Sequence, residues 1–306
     1  MSQTKSATKL RQVLADADKI IVCPGVHDGL TARVALSIGF DALYMTGAGT
    51  AASRLGQPDL GLTTVDDMVT NAGMIAGLNR DVPVIADADT GFGGPLMIAR
   101  TTEKYILQGV AAFHIEDQVT TKRCGHLTGK ELVDTNTFVA RIRAAAAARA
   151  RMESDIVIIA RTDAPQSLGY EEAVTRLKIA VQAGADVAFL EGMRTKEQMR
   201  QIVRDMAPTP CFLNMVGGGV TPLVNSQEAK DMGYKIVISP MAGLTSVYLA
   251  MHESCQELKN TGEIKDRYTE NGKVDGGVRD VFELCGLSKC VEFGKEVGGV
   301  SFVNGA

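Results

Sequence analysis

Short apolar segments recur along the chain, and each leads into polar or glycine-rich residues and then into a helical pattern. This alternation is typical of a parallel α/β sheet. The candidate strands fall at 20–24, 42–47, 84–89, 111–117, 156–163, 187–192, 211–216 and 236–240. Eight βα units within about 250 residues predict a (β/α)8 TIM barrel. The alternative is a doubly wound open sheet, which usually has fewer strands and a Gly-x-Gly-x-x-Gly turn where residues 24–29 here read PGVHDG.

The 306 residues are predicted to form one domain, because no Pro/Gly/Ser-rich linker, repeat or low-complexity block divides them. The chain continues well past the eighth strand. Residues 241–306 are predicted to form a helical extension, with one helix from 241 to about 258 and another from about 278 to 295. Such an extension packs on a neighbouring subunit or caps its own barrel, and the pattern alone favours neither.

Charge and cysteine content limit the classes of partner. The net charge is −4, so no general field attracts nucleic acid or an anionic membrane, and a small molecule is the expected partner. The six cysteines show no Cys-x-x-Cys spacing, which is compatible with reduced thiols. No secretion signal or membrane span is evident. We therefore expect a cytoplasmic protein, with an organellar address left open.

Residues 122–127, read KRCGHL, follow the fourth predicted strand. They place the thiol of Cys124 between Lys122, Arg123 and His126, beside a glycine that lets the backbone approach a ligand. Nearby positive charge lowers the pKa of a thiol, and a cysteine poised near the working pH can donate a proton to a carbanion. The other interpretation is a solvated basic turn in which the cysteine is incidental.

Acidic side chains end the third and fourth predicted strands, where a barrel places its active site. Asp87 and Asp89 are two residues apart, as are His114 and Glu116, so each pair is predicted to share one face of its strand. Converging carboxylates suit a partly hydrated Mg²⁺, with Mn²⁺ as a substitute. Glu116 would join the aspartates directly or through metal-bound water, and Asp117 would point outward. Alternatively, these acids cap helices or pair with basic residues.

The next three strands end in groups that suit an organic acid. Arg161 and Asp163 share a face of the fifth strand, Glu191 ends the sixth, and Asn214 ends the seventh. An arginine matches a carboxylate geometrically, Glu191 can orient it or accept from a hydroxyl, and Asn214 can donate to a second oxygen. An internal Arg161–Glu191 salt bridge is the structural alternative.

A phenol and a hydroxyl precede a turn of small residues at the second strand. Tyr44 and Thr46 lead into Gly47, Ala48 and Gly49. The backbone N–H groups of such a turn can receive a carboxylate, although glycines alone are weak signals.

Four motifs together point to a known family. They are Tyr44-Met45-Thr46-Gly47, Asp87-Ala88-Asp89-Thr90-Gly91-Phe92-Gly93, His114-Ile115-Glu116-Asp117-Gln118 and Lys122-Arg123-Cys124-Gly125-His126. Through them, and through residues 57–59 and 160–163 and Asn214, the chain resembles the isocitrate lyase and phosphoenolpyruvate mutase superfamily. That resemblance implies a Mg²⁺-dependent barrel, a last helix exchanged between subunits, and a homotetramer built as a dimer of helix-swapped dimers.

The cysteine motif resembles the lyase branch, which carries it on a mobile gating loop. The implied reaction is a retro-Claisen-type cleavage of a 2-hydroxy dicarboxylate of malate type. Cys124 would protonate the leaving carbanion, with Lys122 and His126 beside it, and the base would be Tyr44, Glu116 or a metal-linked water near Asp59. The expected substrate-binding residues are Tyr44, Thr46, Gly47, Ala48, Cys124, Gly125, His126, Arg161, Glu191, Asn214 and Pro240, and the expected metal-binding residues are Asp87, Asp89 and Glu116.

The substrate is inferred from departures from the relatives. Methylisocitrate lyases share a proline at the position of Pro240 but add a nearby arginine for a third carboxylate, whereas residues 241–245 here read MAGLT. Oxaloacetate acetylhydrolases typically have serine where Pro240 stands. A proline offers apolar surface to a methyl group, which favours 2,3-dimethylmalate, giving pyruvate and propionate. Oxaloacetate hydrolysis, 2-methylisocitrate cleavage and, in another class, a catalytically silent barrel acting as a binding or assembly module are the alternatives.

Overall fold

Eight parallel strands close into a barrel in the order of the sequence. The structure is a computed structural model, and it describes residues 6–125, 127–264, 269–270, 273–274 and 277–299. The strands are β1 Ile21–Val26, β2 Leu43–Met45, β3 Val84–Asp87, β4 Ala112–Glu116, β5 Val157–Thr162, β6 Val187–Leu190, β7 Cys211–Asn214 and β8 Ile236–Ser239. Strand β1 pairs with β8, with Ile21 opposite Ile236, so the sheet has no open edge. The predicted TIM barrel is confirmed, and each of the eight predicted segments overlaps one strand.

Helices alternate with the strands and form the outer layer. They are α1 Ser6–Ala15, α2 Gly29–Ile38, α3 Gly47–Thr50, α4 Val65–Leu78, α5 Pro95–Gln108, α6 Thr135–Arg151, α7 Tyr170–Gln182, α8 Lys196–Met206 and α9 Ser226–Met232. A π-helical turn follows α3 at Ala51–Leu55, and a 3-10 turn lies at Ala164–Gln166. Several starts are fixed by capping boxes, as where Asp28 and Thr31 exchange hydrogen bonds at α2.

Two apolar cores hold these layers together. One lies between the barrel and its helices and includes Met68, Phe113 and Phe138. The other fills the barrel interior, where the rings of Phe189 and Phe212 have centroids 4.6 Å apart. Because the interior is packed with side chains, a ligand can be received only above these aromatic rings, at the barrel mouth.

The extension after the barrel is less buried than the rest. Helix α10 runs from Ala242 to Thr261 and begins against β1, and α11 (Val278–Leu284) and α12 (Leu287–Glu296) follow a short ribbon of β9 Thr269–Glu270 and β10 Lys273–Val274. None of these three helices contains a buried residue. The single helix predicted over 278–295 is wrong, because Gly286 has a φ of 96° and breaks it in two.

In the part of the chain that the structure describes, no helix is both long and apolar enough to cross a bilayer.

The packing of Gly25 gives a stability prediction. A Cβ at Gly25 would stand 2.2 Å from the carbonyl oxygen of Pro240, a backbone atom that cannot rotate away. We expect Gly25→Ala to lower the free energy of unfolding by about 3 kcal/mol. Gly77→Ala is the matched control, because nothing lies within 4 Å of its added methyl, and it should change stability by no more than about 1 kcal/mol. Urea denaturation followed by circular dichroism measures both; equal midpoints for the two variants would contradict the prediction.

Candidate active site

A cavity of about 220 Å³ opens at the carboxyl ends of the barrel strands. It is lined by Tyr44, Thr46, Ala48, Asp59, Asp87, Cys124, Gly125, Arg161, Phe189, Glu191, Asn214, Val216, Gly217, Pro240, Met241 and Thr245. Most of the side chains singled out in the sequence therefore meet at one place. His126 lies outside the described residues.

The Cys124 loop, which is the segment between β4 and α6, lies over this cavity. Its two arms meet where Gln118 and Leu132 form a β-bridge. At its tip the Cys124 backbone N–H donates to the carbonyl of Asp59, over 3.1 Å, and the half-buried thiol lines the cavity. The thiol is thus on a loop that reaches across the barrel mouth, not on a strand.

Arg161 is the centre of a buried ion-pair network. Its Nε and Nη2 bond to the two oxygens of Asp163 at 2.9 and 3.1 Å, and its Nη1 lies 3.0 Å from Glu116 Oε2. The Arg161–Glu191 salt bridge, which the sequence offered as the structural alternative, is the longest of these contacts, at 3.9 Å. Asn214 donates to Glu191 at 2.8 Å. Burial favours the neutral form of Asp163, but Arg161 and Lys130 outweigh it and lower the pKa of Asp163 to about 2.

The floor of the cavity carries a phenol, an imidazole and a carboxylate. The Tyr44 hydroxyl lies 2.8 Å from His114 Nε2 and 3.5 Å from Asp87 Oδ2. Burial, reinforced by the charge of Asp87, raises the pKa of Tyr44 well above its ordinary value. Burial also lowers the pKa of His114 to about 4. Both rings are therefore neutral near pH 7, and Tyr44 retains its proton.

Asp89 does not lie on the third strand, although the sequence predicted that it shares a strand face with Asp87. Strand β3 ends at Asp87, and Asp89 lies beyond it with a φ of 47°, in the left-handed region. Its carboxylate lies 2.7 Å from Lys122 Nζ and accepts from the Thr63 hydroxyl at 3.1 Å. Lys122 also pairs with Asp59. Asp89 and Lys122 are not among the residues that line the active-site cavity; they border another cavity of about 290 Å³.

Several buried carboxylates at the barrel mouth are possible ligands for a divalent cation. In the described residues, no three His, Cys, Asp or Glu side chains already surround a single point. However, even with the Lys122 ammonium 2.7 Å from Asp89 Oδ1, burial raises the pKa of Asp89 to about 6, and it raises the pKa of Glu116 well above its ordinary value. Carboxylates that are costly to ionise when buried fit a hard cation that would offset their charge, bound by Asp87 and Asp89 with Glu116 acting through water.

The turn after β2 was predicted to offer its backbone N–H groups to a carboxylate, and one of these groups binds a carboxylate of the protein itself. The Gly47 N–H donates to Asp87 Oδ2 at 3.2 Å, and a Cβ at Gly47 would stand 2.5 Å from the same oxygen. The Thr46 hydroxyl accepts from Gly49 N–H. Gly47 therefore holds the aspartate, while Thr46 and Ala48 line the cavity directly.

Part of the cavity wall is apolar. Val216, Pro240 and Met241 belong to it, Phe189 lies under the Arg161 guanidinium with its ring centroid 5.3 Å from the guanidinium carbon, and Thr245 is a further lining residue. Among the described residues that line the cavity, Arg161 is the one cationic side chain. This wall suits an alkyl group and offers nothing to a further carboxylate.

Two residues that sequence reasoning missed hold the loop. The Gln118 side chain bonds to both backbone groups of Arg123 and to Glu116, and Lys130 bonds to Gly125 and to Asp163. A lysine and a glutamine in a polar loop are normally exposed, so nothing in their spacing indicated burial. Asp117 was predicted correctly: it points out of the barrel and bonds to Thr162 and Arg176.

The chain was compared with known proteins. The family model described as phosphoenolpyruvate phosphomutase matches residues 10–259. The 2,3-dimethylmalate lyase of Eubacterium barkeri is 44% identical over 255 residues, which cover 83% of this chain and 86% of that protein. A crystal structure of 2,3-dimethylmalate lyase superimposes with a TM-score of 0.94 at 54% identity and covers 99% of both chains.

A structure of oxaloacetate acetylhydrolase in complex with the inhibitor 3,3-difluorooxalacetate superimposes with a TM-score of 0.93 at 51% identity, over 97% of this chain and 99% of that one. The two structural similarities cover 97% or more of the chain. They confirm the resemblance seen in the motifs: the chain belongs to the PEP mutase/isocitrate lyase superfamily.

Proposed function

We propose that the protein is a Mg²⁺-dependent carbon–carbon lyase that cleaves 2,3-dimethylmalate into pyruvate and propionate. One observation carries the proposal: a single cavity brings the Cys124 thiol, the Arg161 guanidinium and the apolar wall at Pro240 together. The thiol supplies a proton, the guanidinium holds a carboxylate, and the wall accepts a methyl group. A silent binding module would not need the thiol.

Arg161 binds a substrate carboxylate, and its own supports keep it in place. Asp163 grips one edge of the guanidinium, and Glu116 and Glu191 flank the rest. Asn214, held by Glu191, offers its amide to a second oxygen. The substrate is thereby oriented with its C2–C3 bond across the cavity.

Cleavage begins with loss of the C2 hydroxyl proton. Tyr44 keeps its own proton because its pKa is raised, so it acts as a hydrogen-bond donor and orients the substrate oxygen. The base is then a carboxylate, and Asp59 is well placed because it lines the cavity next to Lys122. Glu116 is the other candidate. When the C2–C3 bond breaks, C2 becomes the ketone carbon of pyruvate.

Cys124 completes the reaction at C3. The electron pair of the broken bond is left on the C3 side as an enediolate, and the thiol gives its proton to C3 to release propionate. The thiolate is then reprotonated by the proton taken from the C2 hydroxyl, so the reaction is a net redistribution of one proton. The loop over the cavity excludes water that would otherwise quench the carbanion unselectively.

A divalent cation completes the site. Asp87 and Asp89 would hold Mg²⁺, with Glu116 contributing through water and Mn²⁺ as a substitute. When bound, the ion supplies positive charge for the oxygens of the 2-hydroxy acid and the keto acid.

Pro240 decides between related substrates. Its ring lies in the wall of the cavity and has no donor for the hydrated ketone of oxaloacetate. A 2-methylisocitrate would bring a third carboxylate toward residues 241–245, where no described side chain is cationic. A dicarboxylate with a methyl group on C2 meets neither difficulty.

The assembly and location are also part of the proposal. Helices α10 to α12 expose apolar residues, including Tyr248, Met251, Phe282 and Phe293, and bury none. A partner subunit that covers them is consistent with a homotetramer built from helix-swapped dimers. A cytoplasmic location remains a prediction.

The direct test is a product assay. Wild-type protein is offered 2,3-dimethylmalate, oxaloacetate and 2-methylisocitrate with Mg²⁺, then with EDTA, and keto acid and co-product are identified. We expect pyruvate and propionate in equal amounts, lost with EDTA and restored by Mg²⁺ or Mn²⁺. A higher kcat/KM for oxaloacetate, with oxalate and acetate as products, would contradict the substrate while leaving the lyase family intact.

Cys124→Ser tests the proton donor. A serine hydroxyl is a far weaker acid than a thiol, so we expect kcat to fall about 10³-fold while the affinity for Mg²⁺ and pyruvate, measured by calorimetry, stays within about threefold. Cys255→Ser, on α10 and not among the residues that line the cavity, is the control and should retain wild-type kcat. Preserved turnover in Cys124→Ser would contradict the assignment of Cys124 as the proton donor.

Pro240→Ser tests the specificity wall. We expect its kcat/KM for 2,3-dimethylmalate to fall about 10-fold and that for oxaloacetate to rise about 10-fold, because the new hydroxyl can bond the hydrated ketone. Pro240→Ala removes the ring without adding a donor, so it should lose the first activity without gaining the second. If both variants respond alike, the hydroxyl has no part in the discrimination.

A further inference from the structure

We propose that Lys130 is a positioning residue that clamps the Cys124 loop to the support of Arg161. Its ammonium lies 2.7 Å from the carbonyl oxygen of Gly125 and 2.7 Å from Asp163 Oδ1. One acceptor is the residue next to the proposed proton donor, and the other grips the proposed carboxylate-binding arginine. The effect on turnover rests on the lyase function proposed above, whereas the clamp itself does not.

The burial of Lys130 makes this contact specific. Its side chain is 2% exposed and that of Asp163 is fully buried. A lysine ammonium is strongly hydrated, and burying it is favourable only when acceptors replace the lost water. One of these acceptors is the Gly125 carbonyl oxygen, so opening of the loop would leave one N–H group of the ammonium without an acceptor.

The loop also contacts Arg161 directly. A Cβ at Gly125 would stand 2.4 Å from Arg161 Nη2 and 2.9 Å from Glu191 Cγ. The backbone of Gly125 is therefore packed against the guanidinium, and Lys130 fixes the carbonyl of the same residue. Gly125 thus contacts Arg161 through its backbone and Lys130 through its carbonyl oxygen. The position of the loop and the orientation of Arg161 therefore depend on each other.

The other flank of Cys124 is held in a similar way. The buried Gln118 amide donates to the Arg123 carbonyl at 2.8 Å and accepts from the Arg123 N–H at 3.1 Å. Arg123 and Gly125, which precede and follow Cys124, are thus each hydrogen-bonded by a side chain from one arm of the loop. Gln118 also reaches the Arg161 network, through Glu116, but Lys130 binds Gly125, the residue packed on the guanidinium, and Asp163 at the same time. Lys130 therefore couples substrate capture to delivery of the proton.

The test measures Cys124 exposure as well as turnover. Lys130→Met keeps the approximate length of the side chain but loses both bonds, and Lys130→Arg keeps the charge and donors. Lys196→Met is the matched control, because Lys196 also pairs with a carboxylate, Glu228, but at the surface. Each variant is alkylated with iodoacetamide, with and without Mg²⁺ and oxalate, and peptides are quantified by mass spectrometry. The buried Cys23 and Cys211 report general opening of the barrel.

We expect Lys130→Met to raise the alkylation rate of Cys124 at least about 10-fold and to leave Cys23 and Cys211 protected, because one charge-assisted hydrogen bond to Gly125 of the loop and one to Asp163 are lost. With dimethylmalate, kcat should fall about 10- to 100-fold while KM changes less than about threefold, since Arg161 keeps its carboxylate partners. Lys130→Arg should recover most of both effects, and Lys196→Met should match wild type.

Wild-type protection of Cys124 in Lys130→Met overturns the clamp, whatever the enzyme's substrate. An altered alkylation rate with no turnover of dimethylmalate by wild type supports the clamp and refutes the proposed substrate instead. If Lys130→Met does not fold, Lys130→Gln, which keeps one donor group without the charge, is judged by the same alkylation rates.

Discussion

The buried guanidinium of Arg161 is the interaction on which the mouth of the barrel depends. Strands β4, β5 and β6 each bring a carboxylate to it or near it, from Glu116, Asp163 and Glu191. Its carbon also lies 5.3 Å from the centroid of the Phe189 ring. Removing one partner from such a group leaves the remaining charges buried and unpaired, which typically costs 3–5 kcal/mol. The same arrangement that closes the barrel mouth therefore fixes the one cationic side chain lining the described cavity.

Charge balance explains why this site and a cation belong together. Three cationic side chains, those of Lys122, Lys130 and Arg161, meet six carboxylates around the mouth. The carboxylates are those of Asp59, Asp87, Asp89, Glu116, Asp163 and Glu191. Without further positive charge, burial raises the pKa values of Asp89 and Glu116. A divalent ion would offset most of the excess negative charge, so the electrostatics of the chain's own residues point in the same direction as its family membership.

The sequence was a reliable guide where periodicity and strand ends carry the information. All eight strands followed from apolar runs, and Glu116 and Arg161 followed from their positions at the ends of those runs. It failed where a backbone dihedral decides the outcome, as at Asp89, whose left-handed conformation takes it off the strand, and at Gly286, which splits the last helix. Lys130 escaped notice because its burial depends on a carbonyl and a carboxylate brought together only in the folded loop.

The proposed chemistry and the proposed specificity belong to different elements around the cavity. The thiol, the arginine and most of the acidic groups come from strands β3 to β6, the residues that end them and the loop after β4, and Asp59 comes from the segment after β2. Pro240 and Met241, in the wall proposed to meet the alkyl part of the substrate, come from the turn between β8 and α10. That turn cannot shift freely, because the Pro240 carbonyl is packed against Gly25, where no Cβ could fit. Side chains at position 240 can therefore change while the backbone stays fixed. A fold built in this way can exchange one substrate for another at the wall without disturbing the residues that break the bond.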